Sequence, residues 1–185
     1  MMLMSNAKLH MPWNLTSDSN IRMLPVHEQL FAFAYAYLAA ATVLGQRAVE
    51  RAELKDWPAG AVVLMNAAHA VELFLKATLL RKNSNFDVWA FSHDIHSLAN
   101  EYERQFPEQN LSWDIPFRHS LPDDLNQDQK KYYREHTAQP SIQLRYPVSR
   151  LGSSWLTLQA FEPHSFQQEL LRMEKDFDRI YHREV

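Results

Sequence analysis

The sequence predicts a mainly α-helical fold, an up-and-down bundle of four to five helices built as a single domain over residues 26–185. Three observations carry this. Two long apolar segments, Val26–Leu54 and Pro58–Lys82, are separated only by a break at Trp57-Pro58-Ala59-Gly60, and so short a link makes two helices antiparallel neighbours. Two further sets, Ile95, Leu98, Ala99, Tyr102, Phe106 and Phe166, Leu170, Met173, Phe177, Ile180, recur at helical spacing. The composition, 46% hydrophobic and 22% charged over 185 residues, is that of a globular chain long enough to bury a core without staples.

Residues 1–25 read as an N-terminal arm, extended and punctuated by Pro12 and Pro25. Met1, Met2 and Met4 are not accompanied by a basic start and an apolar core, so no secretory signal is expected. Pro25 stands at the entry to the first long helix, where its fixed φ suits a first turn. In the second long helix, Val63, Leu64, Ala67, Val71, Phe74, Leu75 and Leu79 sweep an arc wider than a surface helix shows. That helix must be covered on more than one side, and its opposite face carries Asn66, His69, Glu72 and Lys76 as a polar seam. A third helix is predicted to begin near Ser92 or His93 and to stop before Pro107. The following stretch to Gln139 bears prolines and aromatics, with a short helix at about Asp128–His136. Ile142, Leu144 and Tyr146 then alternate with polar residues, as do Trp155, Thr157 and Gln159, and Leu151-Gly152-Ser153 could turn between them. This pattern predicts a short β-hairpin before the last helix, Ser165–His182.

Composition also excludes classes of function. With no cysteine, neither disulfides nor cysteine-ligated zinc or iron–sulfur sites can form, which fits the cytoplasmic location expected here. A net charge of −3 argues against coating nucleic acid wholesale while leaving room for a local basic pocket. The apolar run Leu30–Gly45 is about 16 residues long, short of the roughly 20 that span a bilayer, so no membrane association is expected. The three glycines, Gly45, Gly60 and Gly152, stand too far apart for a phosphate-cradling loop. Neither a Gly-x-Ser-x-Gly elbow nor a His-Glu-x-x-His signature is present.

Three clusters could carry chemistry. His69, Glu72 and Lys76 fall within about 60° on one helix face at 100° per residue. They read either as an ion pair on a solvated strip or as a lysine poised for a phosphate with His69 beside it. Ser92-His93-Asp94-Ile95-His96 opens the third helix, where Ser92 is a natural cap and Asp94 complements the helix dipole. A competing reading takes His93, Asp94 and His96 as N and O ligands of a metal; a sharper form takes His69, His93, Asp94 and a later aspartate (Asp114, Asp123 or Asp124) as ligands of a water-activating divalent ion. Arg145-Tyr146-Pro147 and Arg150 form a basic aromatic cluster able to grip a phosphate or stack on a base, unless the arginines are solvated or pair with Asp123 and Asp124.

In order along the chain, "AAHAVELFLKATLL" (Ala67–Leu80), "FSHDIHSLANEY" (Phe91–Tyr102) and "LRYP" (Leu144–Pro147) resemble the HEPN family, the helical-bundle domains named for higher eukaryotes and prokaryotes nucleotide-binding proteins. Glu72, Lys76, His93, Asp94, Leu98, Arg145, Tyr146 and Pro147 carry the match. The resemblance implies a bundle of four or five helices that usually dimerises. It also implies a tie to nucleotides or RNA, often beside a nucleotidyltransferase partner in toxin–antitoxin or defence systems. The ribonuclease branch of that family uses Arg, four to six residues, then His. Here the only close match, Arg22 to His27, precedes the first long helix, while Arg134 and His136, or Arg179 and His182, are too closely spaced.

The expected function is therefore a non-catalytic, dimeric nucleotide-, RNA- or partner-binding domain with no cofactor and no metal. Its ligand seam comprises His69, Glu72, Lys76, His93, Asp94, Arg145, Tyr146 and Arg150. The alternatives are a structural homodimeric module using the Ala-rich first helix, and a divergent ribonuclease or His/Asp metal-dependent phosphohydrolase.

Overall fold

The computed structural model describes residues 19–51, 56–118, 124–136, 140–148, 152, 154–155 and 161–183. Among the described residues seven α-helical segments run in order: α1 Ser19–Arg22, α2 Val26–Glu50, α3 Trp57–Lys82, α4 Ile95–Gln105, α5 Gln127–His136, α6 Pro140–Gln143 and α7 Pro163–Tyr181. A 3₁₀ turn, Val88–Phe91, lies between α3 and α4. The protein is mainly helical, and α2, α3, α4 and α7 form the bundle around one core.

Side-chain pairs set the directions of the helices. Phe31 meets Phe74, Tyr37 meets His69, and Gly45 lies beside Val63, so α2 and α3 run antiparallel. Phe31 also meets Tyr181, Tyr35 bonds Asp178, and Gly45 faces Leu170, so α7 is antiparallel to α2 as well. Phe74 stacks on Phe177 with ring centroids 3.8 Å apart at the centre of the three helices.

The wide apolar arc of α3 has the consequence expected of it: every residue from Ala70 to Leu80 is buried. By length and hydropathy α3 could cross a membrane, but 67% of its most apolar stretch is buried inside the protein itself. Asp56 caps α3 by accepting from the Ala59 amide, with Pro58 in the first turn. Gly60 is required by packing. A Cβ there would sit 2.6 Å from the Cβ and Cγ of Phe161, so only glycine lets the segment before α7 lie against α3.

Four expectations need correction. The arm, residues 1–25, is not extended throughout: Ser19–Arg22 is a helical turn, and residues 1–18 lie outside the described residues. The first long helix ends at Glu50, because Arg51 is extended, instead of reaching Leu54. The third helix begins at Ile95 and is capped by Asp94, not Ser92: Ser92 has φ +50°, a left-handed conformation outside any helix. Finally, Ile142 and Leu144 do not alternate along a strand. Pro140 starts a helical turn in which the Leu144 amide donates to Pro140 and the Tyr146 amide to Ile142. Of the hairpin, the described residues contain one isolated antiparallel bridge, Val148 to Ser154; Thr157 and Gln159 lie outside them.

Candidate ligand-binding site

The polar seam of α3 points into the protein. Glu72 and Lys76 are 1% and 3% exposed, which overturns the solvated-strip reading of this pair. Removing two charges from water is tolerated only if both are fully partnered, and here they are. Lys76 Nζ lies 2.9 Å from Glu72 Oε1 and also donates to the carbonyl of Ser92, with the exposed ring of Trp89 5.4 Å away. The left-handed turn at Ser92 thus presents a backbone oxygen to a buried ammonium, and Lys76 pins the 3₁₀ turn to α3.

The other side of the carboxylate is met by histidines. His93 Nδ1 is 3.1 Å from both Glu72 Oε1 and Oε2. His69 Nδ1 stands 3.6 Å from Oε2, too long for a hydrogen bond and with no other partner, while its ring packs edge-on against Tyr37. Burial would raise the Glu72 carboxyl, but the surrounding His69, Lys76 and His93 outweigh it and hold it at about 2. An ionised carboxylate only accepts, so His93 Nδ1 is the protonated nitrogen and Nε2 is left for whatever lies beyond.

Beyond lies a cavity of about 500 Å³. It is lined by His93 together with Ile142, Arg145, Tyr146, Pro147, Val148 and Trp155. Its wall is built by the turn after α6: the Arg145 amide donates to Ile142, and Trp155 Nε1 donates to the Tyr146 carbonyl at 2.7 Å, clasping the two sides of the loop together. Arg145 and Tyr146 are exposed, and the Arg145 guanidinium has no hydrogen-bond or ion-pair partner among the described residues. Arg145 and Tyr146 also border a second, mostly apolar cavity of about 270 Å³ beside Trp57 and Pro58.

The expected seam residues therefore fall into three groups. His93, Arg145 and Tyr146 line one cavity. Glu72, Lys76 and His69 lie behind it on α3, and the Glu72 carboxylate holds His93. Asp94 is a helix cap, its carboxylate accepting from Ser97 N at 3.1 Å and Ser97 Oγ at 2.7 Å; this occupies it away from the metal set in which it was weighed. Arg150 and Asp123 lie outside the described residues. Among the described residues no group of three metal-ligating side chains is assembled. Arg179, weighed for a ribonuclease pair, is engaged with Asp176 and with the carbonyls of Asn110 and Ser112.

Sequence reasoning missed Trp155 as a cavity residue. Its partner is a backbone carbonyl nine positions away, for which no side-chain pattern exists. Comparison of the chain with family models, with curated proteins and with solved structures finds no match.

Proposed function

We propose that this chain is a HEPN-like, non-catalytic binding domain whose cavity at His93, Arg145, Tyr146 and Trp155 takes a nucleotide or an RNA end. The observation that supports this reading is the Arg145 guanidinium, without a partner among the described residues, beside aromatic side chains and an imidazole in one cavity of about 500 Å³. A planar guanidinium recognises phosphate oxygens bidentately, and aromatic faces stack on bases. The volume falls within the range of small-molecule sites. A thermal-shift series with nucleotides and short RNAs tests it. A ligand that prefers the folded state raises the melting temperature, and Arg145→Ala should abolish that rise. Stabilisation unchanged in Arg145→Ala would refute the assignment.

A second reading, a homodimeric interaction module, has its own support. Phe33, Ala36, Ala40 and Val43 form an exposed stripe at i, i+3, i+7 and i+10 on α2, with Phe33 52% and Val43 55% exposed. No charged residue occurs between Glu28 and Arg47 to oppose contact with a second copy. Sedimentation equilibrium should show a dimer in the wild type and a monomer in Phe33→Glu; a monomeric wild type refutes it.

A further inference from the structure

Among the described residues, the charges around the cavity do not cancel. Glu72 and Lys76 face each other at 2.9 Å, both buried, and neutralise one another. His69 approaches the same carboxylate from α3 and packs on Tyr37, and it is not among the residues lining the cavity. Asp94, next to His93, has its carboxylate turned to Ser97. Of the polar side chains, His93, Arg145 and Tyr146 line the cavity, and His93 Nε2 is the ring nitrogen not engaged by Glu72. Because Nδ1 is committed to Glu72, a neutral His93 presents a lone pair at Nε2, which repels a phosphate oxygen. A protonated His93 presents a donor there instead and keeps its bond to Glu72.

From this we infer that the cavity takes a phosphate monoester in its dianionic form, and that binding draws one proton onto His93 Nε2. The inference rests on the binding reading above and specifies its ligand. With His93 neutral, the described residues lining the cavity carry one positive charge, Arg145. With His93 protonated they carry two, which match a monoester at about −1.5 to −2 and exceed the single charge of a phosphodiester. Protonating Nε2 leaves the contact of Nδ1 with the Glu72 carboxylate in place, so the imidazolium keeps both of its hydrogen-bonding nitrogens engaged once a phosphate is bound. A terminal phosphate is the shared chemistry of a free mononucleotide and of a 5′-phosphorylated RNA end.

The test is isothermal titration calorimetry of the intact protein at pH 7.5, in Tris and in a second buffer with a smaller ionisation enthalpy. At this pH a free imidazole is mostly neutral and a phosphate monoester mostly dianionic. The probes are adenosine 5′-monophosphate, its methyl ester, and a short oligoribonucleotide with a 5′-phosphate or a 5′-hydroxyl. The monophosphate should bind about tenfold or more tightly than the methyl ester, with a buffer-dependent heat corresponding to about one proton taken up per ligand. His93→Gln should bind more weakly and show no buffer dependence, with its fold checked by circular dichroism. Discrimination between the two oligonucleotides would assign the phosphate to an RNA end, and preference for the free monophosphate over both would assign it to a mononucleotide. Binding without proton uptake, or equal affinity for monoester and methyl ester, overturns this inference and leaves the binding reading standing. Failure of every probe to bind overturns both.

Discussion

Replacing Glu72 with glutamine removes the charge on which Lys76 and His93 converge, and the structure gives the size of the effect. The Glu72 carboxyl is lowered from 4.5 to about 2 by folding. At about 1.4 kcal/mol per pH unit, this makes the ionised carboxylate worth about 3 kcal/mol of stability. Because the folded-state value is the depressed one, that contribution is complete above pH 4.5 and disappears as the pH falls towards 2. At pH 7 the substitution also strands Lys76, 3% exposed, without a counter-ion, a loss of about 3–5 kcal/mol for a buried pair broken on one side. Urea unfolding followed by circular dichroism at pH 7, 5, 4 and 3 should show Glu72→Gln well below wild type at pH 7. The gap should then narrow steadily below pH 4.5, as the wild type loses what the variant never had. A gap that stays constant from pH 7 to pH 3 would refute the claim that Glu72 is an ionised, buried centre of this network.

Pairing Glu72→Gln with Lys76→Met should cost less than the sum of the two single changes, since neither charge is then stranded; additive losses in urea unfolding would contradict the pairing. Asp94→Ala removes the cap of α4 and its bond to Ser97 Oγ, and should cost about 1 kcal/mol by chemical denaturation, while leaving any ligand affinity within about twofold. Gly60→Ala places a Cβ 2.6 Å from Phe161. Because the obstruction is at the root of a ring and not at a flexible tip, a loss of about 1–3 kcal/mol is expected; an unchanged melting temperature would show that Phe161 does not lie against α3.

The bundle was legible because periodicity reports burial. The arc of α3 was too wide for a surface helix, and the structure buries every residue from Ala70 to Leu80. The same wheel misjudged the seam: it shows which residues share a face, not what that face meets. Glu72 and Lys76 looked solvated because they were charged, and only the docking of the Ser92–His93 turn on α3 encloses them. The strand reading failed at Ile142 and Leu144 for a related reason. Two alternating residues fit period 2, but Pro140 fixes a helical first turn and a four-residue segment is too short for periodicity to decide. The candidate site was half legible. His93, Arg145 and Tyr146 were singled out by residue type and do share a cavity, while Trp155 joins through a backbone carbonyl that no sequence pattern encodes.

His93 and Arg145 share a cavity, and the proposed function puts a phosphorylated ligand in it. Titrating the ¹⁵N-labelled protein with adenosine 5′-monophosphate, followed by backbone amide chemical shifts, tests it most directly. Saturable shifts concentrated at His93, Arg145, Tyr146 and Val148, lost in Arg145→Ala, are expected. Shifts centred elsewhere, or shifts at these amides that survive removal of the guanidinium, would contradict it.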